Sequence, residues 1–116
     1  MKRTLTTLRA AAWCVRALGS TRRQLQRGAL QDLRLPGPPP VPEDAARGVR
    51  AALRLTPSSC LERALVLQAW HAAHGRPQDV VIGVSGRTSD FRAHAWLGNE
   101  PQEGAGFREL ARVAPR

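Results

Sequence analysis

The residue of this sequence with the clearest chemical setting is Cys60, which stands at the start of a predicted helix. Ser59, followed three positions later by Glu62, forms a capping box, and a strongly apolar run follows at once. At the first helical position, unpaired amides and the positive end of the helix dipole stabilise negative charge, which favours a thiolate. Cys60 is therefore a candidate nucleophile. The alternative interpretation is a small buried hydrophobic residue.

A second reactive group, the imidazole of His94, lies in a segment with the pattern of a strand. The apolar residues of this segment alternate with Arg92, His94 and Trp96, which predicts a strand with one apolar face formed by Phe91, Ala93, Ala95 and Leu97. We therefore expect the imidazole to project from the other face. A thiol at a helix start and an imidazole on a strand are the usual pair of a cysteine hydrolase. In such enzymes the imidazole takes the proton of the thiol and later protonates the leaving amine.

The segments around these two residues occur in a specific order: SCLERAL at 59–65, Gly75, VVIGV at 80–84, FRAHAWL at 91–97 and FREL at 107–110. Together they resemble the lasso-peptide leader peptidases, small bacterial proteins with a transglutaminase-like, papain-related core. The resemblance implies a Cys-His-Asp type site that cuts the leader from a ribosomally made precursor peptide before a separate cyclase closes the product. Cys60 and His94 match the first two members of that site. The resemblance also implies that a separate leader-recognition protein presents the substrate.

The third member of such a site has no direct counterpart in this chain. The last aspartate is Asp90, so the polar candidates that follow the histidine are Asn99, Glu100, Glu103 and Glu109. We predict Glu109, because a hairpin folded around residues 98–106 would bring its strand-like segment beside His94. Asn99 would serve in a papain-like Cys-His-Asn site, but it falls in the predicted turn.

The composition describes one basic domain of 116 residues with a net charge of +9. Two cysteines are too few for a disulfide scaffold, which favours a reducing compartment and hence the cytoplasm. Seven basic residues precede the first acid, Asp32. This charge suggests an acidic partner such as a precursor leader or another protein, and its alternative is a solvated basic face. No nucleic-acid-binding motif is recognisable, so nucleic acid is not the expected partner.

The N-terminal quarter has the pattern of an amphipathic helix. Residues 4–34 are predicted to be helical, with breaks near Gly19 and Gly28. The predicted apolar face consists of Leu5, Leu8, Ala11, Ala12, Val15 and Leu18. We expect this helix to dock on the rest of the domain while adding little to its core. Arg9 and Arg16 interrupt the apolar run, so neither export nor stable membrane insertion is expected.

We divide the chain into three parts. Residues 1–34 are the basic amphipathic helical segment, and residues 35–42 are a proline-rich linker of extended conformation. Residues 43–116 are the predicted transglutaminase-like cysteine peptidase domain.

In this last part, helices are predicted over 43–55 and 60–74, and strands over 80–84, 91–97 and 107–113. The second helix is apolar nearly all round, which is typical of a central buried helix. We expect the three strands to form an antiparallel meander packed on it, with a turn at residues 85–89. The fold class is therefore α+β, with a transglutaminase or papain-like core preceded by an N-terminal helical segment.

These patterns predict a cysteine peptidase that removes the leader from a precursor peptide during lasso-peptide biosynthesis, with a lasso cyclase in the same pathway. Two alternatives stay open: a non-catalytic peptide-binding protein of the same fold, and a basic nucleic-acid-binding domain. No metal or organic cofactor is expected. His71 and His74 share a helix face, but they have no nearby cysteine or clustered carboxylates to complete a metal site.

Overall fold

The structure is a computed structural model that describes residues 2–28, 30–86 and 91–115. In this part of the chain the helices are α1 (Lys2–Gln26), α2 (Ala46–Leu55) and α3 (Cys60–Ala73). The strands are β1 (Val80–Ser85), β2 (Arg92–Leu97) and β3 (Arg108–Val113), and short 3-10 helices span Glu43–Ala45 and Pro101–Gly104. The predicted α+β class, with a central helix, a small antiparallel sheet and an N-terminal helix, is confirmed.

Helix α1 is continuous over its 25 residues. The break predicted near Gly19 is wrong, whereas the helix does end shortly before Gly28, whose φ of 71° is typical of a glycine after a helix C-terminus. A glycine inside a helix costs only about 1 kcal/mol relative to alanine. The packing of α1 against α2 and α3 offsets this cost.

The buried face of α1 differs from the predicted one. The residues that pack into the core are Ala10, Trp13, Cys14, Ala17 and Leu18. Only Leu18 of the predicted face is fully buried, whereas Leu5, Leu8 and Val15 are exposed. The helix carries two apolar stripes, and the stripe with the large Trp13 ring beside small residues allows closer packing and more apolar burial. The expectation that this segment adds little to the core is therefore wrong.

Helix α3 lies between two hydrophobic clusters, which explains why it is apolar nearly all round. Its Val66 and Trp70 belong to the cluster formed with α1 and α2. Its Ala64 and Leu65 belong to the cluster formed with the sheet. The buried amide of Gln68 donates to the carbonyl oxygens of residues 78 and 113 at 3.0 and 2.8 Å, which ties the sheet to the helix.

The three strands are antiparallel in the order β2-β1-β3, so the sheet is not the predicted meander. Strand β1 is the most apolar of the three. At the centre of the sheet both of its edges are paired, and residues on both of its faces are buried. The connection from β2 to β3 contains a 3-10 helix and is long enough to pass β1 and reach its other edge. Gly83 of β1 therefore lies opposite His94 of β2 on one side and Glu109 of β3 on the other. Of the turn predicted at 85–89, residues 87–89 lie outside the described part of the chain.

Residues 35–42 form neither an α-helix nor a strand, as predicted, but the segment is fastened to the helices. The indole N–H of Trp13 donates to the Pro36 carbonyl oxygen at 2.8 Å. The Nε2 atom of His74 lies 3.1 Å from the carbonyl oxygen of Val41, a buried residue. The segment therefore covers part of the helical layer. Among the described helices, none is long and apolar enough to cross a membrane.

Candidate active site

Cys60 is the first residue of α3, and the predicted capping box is present. The Glu62 amide donates to Ser59 Oγ at 3.1 Å, and the Ser59 amide donates to Glu62 Oε1 at 2.8 Å. These bonds use the amides of Ser59 and Glu62, which leaves the amides of Cys60 and Leu61 available to an anion. The Cys60 side chain is exposed. A nucleophile at this position is accessible to a substrate.

The start of α3 is held by Arg22 of α1, a contact that no local sequence pattern indicates. Arg22 donates to both carboxylate oxygens of Glu62, at 3.1 and 3.3 Å, and to the carbonyl oxygen of Pro57 at 2.8 Å. The Glu62 side chain is only 11% exposed. The hydrogen bond from Arg22 holds the pKa of Glu62 below its usual value, against the opposing effect of burial. Arg22 therefore braces the capping box and the loop that precedes Cys60.

His94 lies on β2, in the strand that its alternating pattern predicts. Its ring packs against two aromatic rings, with centroid distances of 5.8 Å to Trp96 and 5.2 Å to Phe107. The Trp96 ring lies over Gly83 and Gly104, where a Cβ atom at either glycine would collide with it. The aromatic rings therefore fix one side of the His94 imidazole, and the two glycines provide the space for that arrangement.

Cys60 and His94 line the same cavity, which has a volume of about 230 Å³. The cavity opens between the start of α3 and the edge strand β2, and its charged lining residues are Arg63, Glu100 and Glu103. Arg63 also donates to the Leu53 carbonyl oxygen at 2.9 Å. The fold thus brings together the two predicted residues from distant parts of the chain. The contacts described for the His94 ring are with the aromatic side chains of Trp96 and Phe107.

Glu109 does not line this cavity. It lies on β3, separated from β2 by the whole width of β1, because β3 pairs with β1. The hairpin that was expected to bring Glu109 beside His94 is therefore wrong. Arg112 donates to both carboxylate oxygens of Glu109, at 2.7 and 2.9 Å, and holds the pKa of this carboxyl below its usual value. The assignment of Glu109 to the site stays a prediction without support from the geometry.

The other carboxylate candidates are better placed than Glu109. Glu100 and Glu103 both line the cavity, and Glu100 is half-buried whereas Glu103 is exposed. Backbone bonds from the Glu100 amide to the Leu97 carbonyl oxygen and from the Glu103 amide to the Glu100 carbonyl oxygen, both 2.9 Å, shape the turn that carries them. Asn99 lies at the predicted turn, and its backbone N–H donates to the side-chain oxygen of Gln78 at 3.1 Å.

Sequence reasoning missed Arg22 and Arg63 as residues of the site. Arg22 is far from Glu62 in sequence, and only the packing of α1 on α3 brings them together. Arg63 lies within the recognised helical segment, but its direction depends on how α3 sits against α2. Within the described ranges, no group of three or more His, Cys, Asp or Glu residues could hold a metal ion.

The chain matches the family described as the transglutaminase-like superfamily over residues 2–113, and it therefore belongs to that superfamily. The superfamily includes cysteine peptidases. The match extends over α1 and the proline-rich segment as well as the residues around Cys60 and His94. No curated protein and no solved structure matches the chain. An exposed thiol at a helix start and an imidazole in the same cavity can perform nucleophilic acyl transfer.

Proposed function

We propose that this protein is a cytoplasmic cysteine peptidase that removes the leader from a ribosomally synthesised precursor peptide during lasso-peptide biosynthesis. The observation that carries the proposal is the cavity shared by Cys60 at the start of α3 and His94 on β2. Membership of the superfamily and the segments that resemble the leader peptidases support it.

In the proposed reaction, His94 takes the proton of the Cys60 thiol, and the sulfur attacks the carbonyl carbon of the bond between leader and core peptide. The amides of Cys60 and Leu61 stabilise the oxyanion that forms. The protonated imidazole then gives its proton to the leaving amine, which is the new N-terminus of the core peptide. The leader stays on Cys60 as a thioester. His94 next takes a proton from water, the hydroxide attacks the thioester, and the leader leaves with a free carboxylate while the thiol regains its proton.

We assign the orientation of the His94 ring to Glu100 or Glu103 rather than to Glu109. The two former carboxylates line the cavity, and Glu100 is the more buried of the pair. An orienting carboxylate selects the imidazole tautomer and stabilises the imidazolium that forms during the reaction. Glu109 is already engaged by Arg112.

The proposed partners are the precursor leader, a separate leader-recognition protein and a lasso cyclase that consumes the released core peptide. The size of the cavity supports this division of labour, because about 230 Å³ accommodates only the few residues around a scissile bond. Recognition of a longer leader would then fall to a second protein.

The experiment that tests the proposal incubates the protein with a precursor peptide and its leader-recognition protein, and follows the products by mass spectrometry. We expect two fragments, leader and core, and in a rapid quench an adduct of leader mass on Cys60. Cys60→Ala should form neither, whereas the matched variant Cys14→Ala should form both. Tight binding of the precursor with no cleavage by the unaltered protein would instead identify a non-catalytic peptide-binding protein.

The non-catalytic alternative has one observation in its favour. The His94 ring packs on Trp96 and Phe107, and these aromatic side chains would suit a peptide-binding surface as well as a catalytic one. The thioester adduct separates the two functions, because a binding protein forms no covalent intermediate.

A further inference from the structure

The outward side of α1 carries an apolar stripe that the domain leaves uncovered. Leu5, Leu8 and Val15 are 61%, 60% and 50% exposed, and Ala12 lies between them and is also exposed. These four residues recur at helical spacing on the side of α1 that faces away from α2 and α3. We call them the outer stripe. Three large exposed aliphatic side chains on one helix face indicate a contact surface.

Beside the outer stripe, α1 and the proline-rich segment form a cleft of about 290 Å³. Arg9 and Arg16 lie on the helix side of this cleft, and Gly37 and Pro39 lie on the other. Trp13 lies between the two arginines in sequence and contributes to the wall. We call this the arginine cleft.

The two guanidinium groups of the arginine cleft have no carboxylate partner among the described residues. In contrast, Arg3, Arg22, Arg76 and Arg112 each form an ion pair within the chain. Helix α1 itself contains no acidic residue, and the net charge of the chain is +9. The arginine cleft is therefore complementary to a ligand that brings its own negative charge.

The walls of the arginine cleft are preformed. The Trp13 indole is held by its hydrogen bond to the Pro36 carbonyl oxygen, and the Trp13 side chain is otherwise buried. Pro39 belongs to a proline-rich run whose backbone is restricted. A ligand therefore meets a fixed indole and backbone wall, and the ordering cost on the protein side falls mainly on the two exposed arginine side chains.

We propose that the arginine cleft and the outer stripe together bind an acidic amphipathic helix of another polypeptide. Arg9 and Arg16 are two helical turns apart, about 10.5 Å along the axis. Carboxylates at positions i and i+7 of a ligand helix have the same separation. Apolar side chains at i+3 and i+4 of that helix would then lie on the outer stripe near Ala12. A concave cleft with this spacing suits a folded peptide better than the flat surface of a lipid bilayer.

The probe for this proposal is a short fluorescent alanine-rich peptide with Glu at i and i+7 and Leu at i+3 and i+4. One control peptide replaces both Glu residues with Gln, and a second moves one Glu to i+5, on a different face. Binding is measured by fluorescence anisotropy with the full chain carrying Cys60→Ala, so that cleavage plays no part. The proposed site lies apart from Cys60, so the outcome is independent of the peptidase proposal.

The test variant is Arg9→Gln with Arg16→Gln, and the matched control is Arg47→Gln with Arg54→Gln. The control pair has the same spacing on α2, is exposed and does not line the arginine cleft. We expect the test pair to weaken binding of the acidic probe about fivefold or more, as for the loss of two exposed ion pairs. The control pair should change it less than twofold. Leu8→Gln should also weaken binding, and circular dichroism checks that each variant is folded.

Three results would overturn the proposal. Equal binding of the Glu and Gln probes would mean that charge is not recognised. Equal losses from the test and control pairs would mean that net charge alone attracts the probe. The third result is that the probe does not bind, whereas the protein co-sediments with vesicles rich in anionic phosphatidylglycerol and the test pair does not. This result would assign the surface to a membrane instead.

Discussion

The two cysteines of this chain both lie on helices, but their surroundings are opposite. Cys14 is in the middle of α1, fully buried, and its thiol donates weakly to the Val49 carbonyl oxygen at 3.7 Å. Burial raises the pKa of Cys14 to about 11. Cys60 is exposed at the start of α3, next to free helix amides and in a cavity with His94. The same functional group is thus a packing element at one position and a candidate nucleophile at the other.

The two positions are connected through α1. The helix that buries Cys14 also carries Arg22, about two turns further along α1, and Arg22 braces the start of α3. The helical layer is therefore part of the machinery that positions the site rather than an appendage to it. The superfamily match, which begins at residue 2, agrees with this arrangement.

The largest expected effect separates the cysteines directly. Iodoacetamide at pH 7 should modify Cys60 and leave Cys14 untouched in the folded protein, because a thiol with a pKa of about 11 is ionised only to about one part in ten thousand at that pH. Cys60→Ala should abolish both the alkylation and the cleavage of a precursor. Cys14→Ala should keep both and lower the free energy of unfolding by roughly 1 kcal/mol for the lost packing. If Cys14→Ala abolished cleavage, the site assignment would be wrong.

The second prediction asks whether exposure alone distinguishes Cys60 or whether the imidazole contributes. His94→Ala should remain folded, because the ring is only half-buried, but cleavage should fall by about 10²–10⁴-fold through loss of the general base. Single-turnover kinetics monitored by mass spectrometry measure this loss. An unchanged rate in a folded His94→Ala protein would contradict the mechanism. Phe91→Ala, an exposed change in the adjoining segment, is the control.

The third prediction concerns the carboxylate that orients His94. Glu100→Gln is expected to lower the cleavage rate by about 10²-fold. This loss is smaller than the loss in kcat that follows replacement of the orienting aspartate in a fully hydrogen-bonded Ser-His-Asp triad. Glu103→Gln should have a smaller effect, and Glu109→Gln the smallest. A large effect of Glu109→Gln alone would restore the original sequence-based assignment. If no carboxylate variant changes the rate, Cys60 and His94 act as a dyad.

The fourth prediction tests the connection between the two cysteine regions. Arg22→Gln should lower the free energy of unfolding measurably, because Glu62 loses its charged partner at the start of α3. At a temperature where the variant is fully folded, cleavage should still be about tenfold slower because the start of α3 is less well ordered. Arg23→Gln, at the next position, is the matched control, and Arg22→Lys should recover part of the rate. A variant that is less stable but equally active when folded would limit Arg22 to a structural role.

The smallest expected effect is a pH dependence of stability. The hydrogen bond from Arg22 lowers the pKa of Glu62 in the folded protein. The contribution of Glu62 to the free energy of unfolding is therefore present above the unfolded pKa of about 4.3 and is lost as the pH falls through the folded pKa. Urea unfolding of the unaltered protein and Arg22→Gln should therefore differ at pH 7 and converge as the pH falls below about 4. A difference that stays constant with pH would mean that the Glu62 ion pair is not its source.

The local features of the site could be predicted from the sequence because they depend on neighbours in the chain. The capping box needs only Ser59 and Glu62, and the strand of His94 needs only a period of two. The apolar character of α3 likewise indicates burial on all sides. These patterns were sufficient for the α+β class, for the start of α3 and for the pairing of Cys60 with His94 as candidates.

The tertiary structure decided the features that depend on which surfaces pack together. Two apolar stripes run along α1, and contact with α2 and α3 determined that Trp13 and Cys14 face inward while Leu5 and Leu8 face outward. Strand order followed from burial of β1 at the centre, and it put Glu109 on the far edge from His94. The contact of Arg22 with Glu62 joins residues that are distant in sequence. Periodicity describes each element alone, so it determines which faces are apolar but not which of them pack together.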